Sequence, residues 1–185
     1  ESYTYDALGN LLTRTDALSH TFSRTWDPAT NQVASSTDPL GHTRSFTYSP
    51  TGEFLSTTDE NGHTTSISYD LFGLPLQVTD PAGKVWQIEY DGYGNPVRIT
   101  DPLGNVTLRR YDAVSRLVES QDPLGRSTQY AYDGLDRVTQ ITDPLGNVTR
   151  FTYDPVGHLL LLTDARNHTT SSTYDSVGRV ATRTE

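Results

Sequence analysis

Residues 132–153 read Tyr-Asp-Gly-Leu-Asp-Arg-Val-Thr-Gln-Ile-Thr-Asp-Pro-Leu-Gly-Asn-Val-Thr-Arg-Phe-Thr-Tyr, and this stretch carries the pattern that decides the fold. A Tyr-Asp pair opens it at Tyr132, a second turn sequence begins midway at Asp143, and Tyr153 opens the next copy 21 residues on. Asp, Pro and Gly at the first, second and fourth positions are typical of a type I β-turn. The five or six residues between turns have the length of a short strand.

The same pattern runs through the whole chain with a spacing of 21 residues, except for 22 between Trp26 and Tyr48. One kind of turn, the Tyr-Asp turn, begins at the second residue of each of these pairs: Tyr5-Asp6, Trp26-Asp27, Tyr48-Ser49, Tyr69-Asp70, Tyr90-Asp91, Tyr111-Asp112, Tyr132-Asp133, Tyr153-Asp154 and Tyr174-Asp175. The midway turns begin at Asp16, Asp38, Asp59, Asp80, Asp101, Asp122, Asp143 and Asp164, with glycines such as Gly104, Gly125 and Gly146 three residues later. An internal period of this size is the signature of a repeat array.

Between the turns, large residues alternate with small polar ones, as in Phe151-Thr152-Tyr153, and no segment has a helical period. We therefore predict an all-β fold: a continuous antiparallel meander of about 17 short strands, two per repeat, forming a single array over residues 1–185. A propeller or a sandwich fits less well, because only two strand types alternate. A sheet of this width is expected to coil, so that one of its faces becomes concave. Apolar residues between Pro and Gly, such as Leu103, are expected to tuck over the sheet edge.

The composition excludes several classes of function. Asp and Glu number 23 against 14 Lys and Arg, a net charge of -9 that argues against nucleic acid or an anionic membrane as a partner. No cysteine is present, so disulfides and thiol chemistry are excluded. No apolar run approaches the length of a membrane span, so we predict no membrane insertion. Because no methionine stands at position 1, we expect a piece of a longer protein.

The repeated polar residues have two readings, ligand binding or turn formation. The Asp row resembles a carboxylate ladder, yet calcium needs six to eight oxygens around one point, and turns two strands apart supply one Asp each. All five histidines, His20, His42, His63, His158 and His168, leave turns at the same repeat position, which favours a turn role over a zinc site. Three Asn-x-Thr sequons, at Asn105, Asn147 and Asn167, coincide with turn exits. We therefore predict no catalytic, cofactor-binding or metal-ligating residues and no enzymatic activity.

One family has this pattern. The sequences Tyr5-Asp6-Ala7-Leu8-Gly9-Asn10-Leu11 and Thr142-Asp143-Pro144-Leu145-Gly146-Asn147 resemble the RHS/YD repeat, and the resemblance covers about eight and a half repeats. The departures are Trp26 for Tyr, Ser49 for Asp, one extra residue within 28–32, and Ser115 and Asp136 where Gly is usual.

The resemblance implies a β-sheet ribbon that spirals into a hollow shell. In bacterial toxin complexes and Rhs toxins such a shell encloses a toxic polypeptide, and in teneurins it belongs to a cell-surface adhesion receptor. The leading hypothesis is therefore a shell segment, secreted or at the cell surface, whose partners are an enclosed polypeptide cargo or neighbouring shell repeats. The alternative is an adhesion or glycan-binding array. Because both ends of the ribbon leave bare strand edges, we also expect the isolated chain to self-associate.

Overall fold

The computed structural model describes residues 1–185 and contains strands and turns but no helix. The strands are β1 (Ser2–Tyr5), β2 (Leu11–Thr15), β3 (Thr21–Trp26), β4 (Val33–Thr37), β5 (Thr43–Tyr48), β6 (Phe54–Thr58), β7 (Thr64–Tyr69), β8 (Pro75–Thr79), β9 (Val85–Tyr90), β10 (Pro96–Thr100), β11 (Val106–Tyr111), β12 (Leu117–Gln121), β13 (Ser127–Tyr132), β14 (Val138–Thr142), β15 (Val148–Tyr153), β16 (Leu159–Thr163), β17 (Thr169–Tyr174) and β18 (Val180–Thr184). The structure has no helix with the length and apolar character needed to cross a membrane.

All strands belong to one open antiparallel sheet, in which strands consecutive in sequence pair with one another. This confirms the predicted all-β meander. The sheet has 18 strands, one more than the 17 expected. The difference arises because 17 turns separate 18 strands: the last residues, Val180–Thr184, pair with β17 and form a complete strand.

The chain divides into two compact units, Glu1–Ile88 and Glu89–Glu185. The first unit contains β1 to β8 and most of β9, and the second contains the end of β9 and β10 to β18. Within each unit the same repeat geometry recurs. The prediction of a single array over residues 1–185 rests on the sequence period, which continues unchanged through this division.

The two faces of the sheet carry different side chains. In the first unit, Phe54 lies against Phe46 and Tyr48, with ring centroids 6.4 and 6.1 Å apart. Thr47, between those two aromatic residues, points to the opposite face, where its hydroxyl meets Ser56 at 2.7 Å. In the second unit Thr173 and Thr182 form the same hydroxyl pair at 2.6 Å. One face is therefore aromatic and aliphatic, and the other is lined by hydroxyls.

No side chain of the protein is fully buried, because the sheet is a single layer. The residues of the aromatic face are half-buried by their neighbours along and across the strands, as the pattern of β15 shows for Phe151 and Tyr153. Stability therefore depends on cross-strand pairs and on the turns rather than on a packed interior. For this reason the turns are taken as the candidate functional site.

Candidate functional site: the turns of the repeat

The turn that begins at Asp143 shows the geometry of the repeat. The Gly146 N–H donates to the Asp143 carbonyl at 3.0 Å, which closes the type I turn. The Leu145 and Asn147 N–H groups both donate to Oδ1 of Asp143, at 2.8 and 2.9 Å. One carboxylate oxygen therefore satisfies two backbone donors. Fifteen of the 17 turns repeat this pair of contacts between Asp Oδ1 and the third and fifth turn positions.

The fifth turn residue, which we call the exit residue, uses its side chain as well. In the Asp143 turn the Asn147 amide donates to Oδ2 at 2.8 Å, and in the Asp133 turn Nε of Arg137 does so at 2.7 Å. Exit side chains that contact the carboxylate of their own turn are Asn10, His20, His42, His63, Asn95, Asn105, Arg116, Arg126, Arg137, Asn147, His158, His168 and Arg179. Sequence reasoning identified this position as polar but missed its contact.

These contacts favour the ionised carboxylate. The pKa of Asp143 lies below its ordinary value, mainly because the Asn147 side-chain amide donates a hydrogen bond to it. Hydrogen bonds from backbone N–H groups add to this effect, and partial burial opposes it. The Arg137 guanidinium is the main cause of the lowered pKa of Asp133. Conversely, the hydrogen bond that the His42 imidazole donates to the Asp38 carboxylate raises the pKa of His42.

The histidines proposed above as turn residues all face their own Asp. Nδ1 lies 3.0, 2.9 and 3.1 Å from the carboxylate in His20, His42 and His63, and 2.8 and 3.4 Å away in His158 and His168. No group of three or more His, Asp or Glu side chains is placed to hold a metal ion.

In the one turn without Asp, the first and exit side chains exchange the roles of hydrogen-bond acceptor and donor. Ser49 replaces Asp, and its Oγ accepts the Thr51 and Glu53 N–H groups at 3.2 and 3.0 Å. The exit residue is now the acceptor: Glu53 receives the Ser49 and Thr51 hydroxyls. The hydrogen bonds from these two hydroxyls lower the pKa of Glu53, and that from Ser49 has the larger effect. Donor and acceptor have exchanged positions, and the turn remains closed.

Each of the 17 turns contains one residue with positive φ. Twelve are glycines, such as Gly104 at +82°, and the other five are Ser19, Asn31, Ser115, Asp136 and Asn167. Positive φ is costly for residues with a Cβ, and a short polar side chain reduces that cost by forming a local hydrogen bond. The non-glycine cases therefore need an explanation from their contacts.

On the edge formed by the Tyr-Asp turns, such contacts come from the preceding repeat. The Asn10 amide donates to Asn31 Oδ1 at 2.6 Å, and the Asn95 amide donates to the Ser115 hydroxyl at 3.0 Å. In the same way, Nη1 of Arg116 donates to Asp136 Oδ1 at 2.8 Å. Every non-glycine residue at positive φ on this edge therefore accepts a hydrogen bond from the exit residue one repeat earlier.

Stacking adds to this link between repeats. The Arg116 and Arg137 guanidinium groups lie over the rings of Tyr132 and Tyr153, 5.0 and 4.8 Å from the centroids. Each also donates through Nη1 to the backbone carbonyl of the next Tyr-Asp turn, at Asp133 and Asp154 respectively. The His158 ring stacks on Tyr174 at 4.4 Å with an interplanar angle of 15°. We call these contacts the inter-repeat ladder.

Four tyrosines of the repeat link neighbouring strands through their hydroxyls. The Tyr132 hydroxyl donates to the Leu117 carbonyl at 2.8 Å, so the last residue of β13 bonds to the first residue of β12. The same contact joins Tyr48 to Val33, Tyr69 to Phe54 and Tyr174 to Leu159, and the Trp26 indole N–H reaches Leu11. A β-bulge next to each of these ring residues sets the start of the following strand. Trp26 thus takes over the role of Tyr, because it also carries a donor.

The midway turns lack the inter-repeat ladder. Their exit residues, such as Asn105, Arg126 and Asn147, contact only the Asp of their own turn. The two edges of the ribbon are therefore built differently, although their turns have the same backbone.

The apolar residue at the third turn position does not tuck over the sheet edge, and that expectation was wrong. Leu103, Leu124 and Leu145 are 84, 76 and 87% exposed. The reason is geometric: this residue lies at the tip of a turn that projects beyond the strands, so the sheet offers nothing to cover it.

A shallow concavity of about 470 Å³ lies in the second unit, on the hydroxyl-lined face. Here two charged pairs replace the hydroxyl pairs: Arg98 with Glu89 at 3.3 Å and Arg110 with Glu119 at 2.8 Å. Because cation and carboxylate satisfy each other across adjacent strands, this surface contributes to cross-strand pairing.

The comparisons with known proteins agree with this geometry. The RHS Repeat family model matches residues 52–85, 69–106, 90–127, 111–148 and 132–169, together well over half of the chain. No curated protein sequence matches the chain.

Solved structures show a similar fold. The Photorhabdus luminescens Tc holotoxin pore matches with a TM-score of 0.59 and 18% identity, over 98% of this chain and 13% of the other. The TcdB2-TccC3-Cdc42 complex gives the same values, and TcdB2-TccC3 matches at a TM-score of 0.59 and 16% identity, over 96% of this chain and 13% of the other. This chain therefore spans a small part of the length of these structures. The family matches, the 21-residue period and the open antiparallel sheet lead to one conclusion: the chain belongs to the RHS repeat family.

Proposed function

We propose that this chain is a wall segment of an RHS-type shell that encloses a polypeptide cargo. The observation that supports the proposal is the single-layer sheet, in which no side chain is fully buried. Such a sheet separates two spaces, and its half-exposed aromatic face suits contact with a polypeptide. The similarity to the TcdB2-TccC3 structures supports the same role at the level of the fold.

In this proposal the repeat residues are structural rather than catalytic. The Asp carboxylates are engaged by backbone donors of their own turns, and the hydroxyls of Tyr48, Tyr69, Tyr132 and Tyr174 by strand carbonyls. Both sets of groups are therefore occupied in holding the wall together. We further propose that the wall acts outside the cell that makes it, either secreted or at a cell surface.

A second function is favoured by two exposed aromatic residues. Phe72 and Tyr93 occupy turn tips and are 90 and 83% exposed. Exposed aromatic rings stack well on sugar rings, so an adhesion or glycan-binding array is the alternative.

The test uses the longer protein that carries these repeats. If the repeats form a shell around a cargo, the polypeptide encoded after them resists added protease in the intact protein and is digested when the shell is opened by denaturant. Rapid digestion in the intact protein would overturn encapsulation. A glycan array probed with this chain and with its Phe72→Ser/Tyr93→Ser variant tests the alternative. Binding that is lost in the variant would favour adhesion.

A further inference from the structure

The aromatic face of the first unit carries positive charge, although the protein as a whole has a net charge of -9. Arg14, Arg24 and Arg44 lie on this face, each at a strand position that alternates with the hydroxyl-lined face. The strands contain only two acidic residues, Glu89 and Glu119, and both are paired with arginines on the hydroxyl-lined face. No strand carboxylate therefore compensates the arginines of the aromatic face.

The register of the strands places these three arginines close together. Arg14 lies opposite Phe22, which is on the same face of β3 as Arg24. Ser36 of β4 lies opposite Arg24 of β3 on one side and Arg44 of β5 on the other. The backbones of Arg24 and Arg44 are therefore two strands apart, roughly 9.5 Å. We call Arg14, Arg24 and Arg44 the arginine row.

The repeat does not require an arginine at these positions. Phe46, Ile67 and Ile88 occupy the position of Arg24 in the next three repeats, and all three are half-buried. Arg24 and Arg44 are instead exposed, and their guanidinium groups form no ion pair or hydrogen bond within the chain. Both groups are free to meet a ligand from outside the chain.

The first arginine of the row shows how this face holds a carboxylate. The Tyr3 hydroxyl donates to Oε2 of Glu1 at 2.6 Å, and Nη2 of Arg14 donates to Oε1 at 3.3 Å. The hydrogen bonds from Tyr3 and then from Arg14 lower the pKa of Glu1, so the ionised form is favoured. A glutamate side chain therefore already occupies one end of the row.

The surface beside the guanidinium groups suits a peptide better than a nucleic acid. A concavity of about 150 Å³ has Arg14, Arg24, Leu12, Phe22 and Ser36 in its lining, so an apolar side chain can enter beside a carboxylate. The strands here are only five or six residues long, and turn carboxylates follow at both edges. These carboxylates would repel a long polyanion but leave room for a short acidic segment.

We propose that the arginine row binds an acidic segment of a partner polypeptide. Arg24 and Arg44 each pair with a carboxylate of that segment, and an apolar side chain of the segment enters the concavity beside Phe22. Pairs between arginine and carboxylate are charge-assisted and directional, which gives the contact its selectivity. This inference rests on the proposed function, in which the aromatic face contacts a polypeptide, and it adds the chemistry of the segment that is contacted.

The experiment is fluorescence anisotropy of a short labelled peptide of alternating Glu and Leu, titrated with this chain at low salt. We expect this peptide to bind about tenfold more tightly than the same peptide with Gln in place of Glu, and the difference to shrink as salt is added. Equal affinities of the two peptides would overturn the proposal. A single-stranded oligodeoxythymidine of the same charge should bind more weakly; equal or tighter binding would show a general anion-binding surface and would also overturn it.

Two variants with the same net charge locate the site. Arg24→Gln/Arg44→Gln should weaken binding of the Glu peptide about tenfold. The matched control is Arg150→Gln/Arg166→Gln, which removes two arginines that also form no ion pair but lie on the hydroxyl-lined face and at a turn tip. It should bind the peptide like the wild type. Equal losses in both variants would mean that binding follows net charge, and the proposal would be wrong.

A third variant tests the row without removing an arginine. Glu1→Gln removes the charged partner of Arg14 and leaves that guanidinium available to the peptide. It should therefore bind the Glu peptide at least about twofold more tightly than the wild type. A gain in affinity cannot come from a loss of folding. Unchanged or weaker binding would contradict the proposed row.

The peptide experiment and the protease experiment fail separately. If the cargo of the longer protein resists protease but the Glu peptide has no advantage over the Gln peptide, encapsulation stands and the acidic segment is wrong. If the cargo is digested while the peptide binds through Arg24 and Arg44, encapsulation is wrong and the arginine row remains a binding site for acidic polypeptides.

Discussion

At the scale of single residues, the fourth turn position determines which backbone the repeat can use. Gly104 has φ +82°, and a Cβ added there would meet no atom within 4 Å. Any penalty for a larger residue therefore comes from the backbone conformation and not from a clash. Gly134 is also a turn glycine with open space around it, but its φ is not positive.

This contrast gives the first prediction. Gly104→Val should lower the free energy of unfolding by about 1–3 kcal/mol, because a β-branched residue resists positive φ. Gly134→Val is the control and should change it by less than about 0.5 kcal/mol. Urea unfolding followed by circular dichroism measures both. Equal midpoints would show that positive φ is not the limiting feature of these turns.

The ladder explains how Asp136 is accommodated at a position that favours Gly. Its φ is +61°, and its carboxylate accepts Nη1 of Arg116 at 2.8 Å. Ser19 has a similar φ of +67° and makes no side-chain hydrogen bond. The strain is therefore offset by a contact at Asp136 and is not offset at Ser19.

We expect Ser19→Gly to stabilise the protein by about 0.5–1 kcal/mol, since only backbone strain is removed. Asp136→Gly should be close to neutral, because the lost ion pair with Arg116 offsets the relief of strain. In an Arg116→Gln background, Asp136→Gly should become stabilising. A double-mutant cycle from urea midpoints measures this coupling. Additive effects would mean that Arg116 does not stabilise Asp136.

At the scale of the strand, the tyrosine hydroxyl supplies a hydrogen bond beyond the point where the pairing with the preceding strand ends. The regular pairing of β12 with β13 covers Glu119–Gln121, so the carbonyl of Leu117 has no backbone partner on β13. The Tyr132 hydroxyl supplies that partner at 2.8 Å. Tyr130 lies on the same strand, and its hydroxyl forms no such bond.

Tyr132→Phe should therefore destabilise the protein by about 1–3 kcal/mol, because it leaves a half-buried carbonyl unsatisfied. Tyr130→Phe is its matched control and should cost less than about 0.5 kcal/mol. Thermal unfolding of the two variants provides the comparison. If they have the same midpoint, the tyrosine row acts only through its rings.

The sequence predicts most of this strand-level architecture. Turn residues at fixed spacing locate every strand, because Asp, Pro and Gly each have a separate role in a type I turn. The sequence does not reveal that the two edges differ in their contacts, because the ladder depends on which side chains of neighbouring repeats meet, as Arg116 and the Tyr132 ring do. It also does not show that Leu103 is exposed, since an apolar residue in a turn can point inward or outward. The exchange of polarity between Ser49 and Glu53 is the one signal from which the contact of the exit residue could have been found.

At the scale of the whole molecule, the turn carboxylates make stability depend on pH. Fourteen turn Asp residues have a pKa below the ordinary value. A pKa that is lower in the folded state adds stability above the unfolded pKa of about 3.9, and this stability is lost as the pH falls through the folded pKa. His42 acts in the opposite sense, since its raised pKa adds stability at low pH that is lost as the pH rises.

We therefore expect a steep fall in the urea midpoint between about pH 4 and pH 2, where the turn carboxylates become protonated. Asp143→Asn should lower the midpoint at neutral pH and flatten the fall, because one linked carboxylate is gone. Urea titrations at several pH values test this. A midpoint that stays constant in this range would mean that the carboxylates contribute equally in their neutral form.

The last prediction follows from the absence of a core. Strands contact only their neighbours along the chain, so a lesion in one turn has no packed interior through which to spread. The Asp143 turn joins β14 to β15, and Gly146 within it has φ +81°. In Gly146→Val, amide hydrogen exchange should accelerate in β14, β15 and the strands beside them, and remain unchanged in β2 to β6. Mass spectrometry of exchanged peptides from both proteins measures this directly. A uniform acceleration along the whole chain would show instead that the ribbon unfolds as one cooperative body, and the turns would then act on the molecule as a whole rather than on their own repeats.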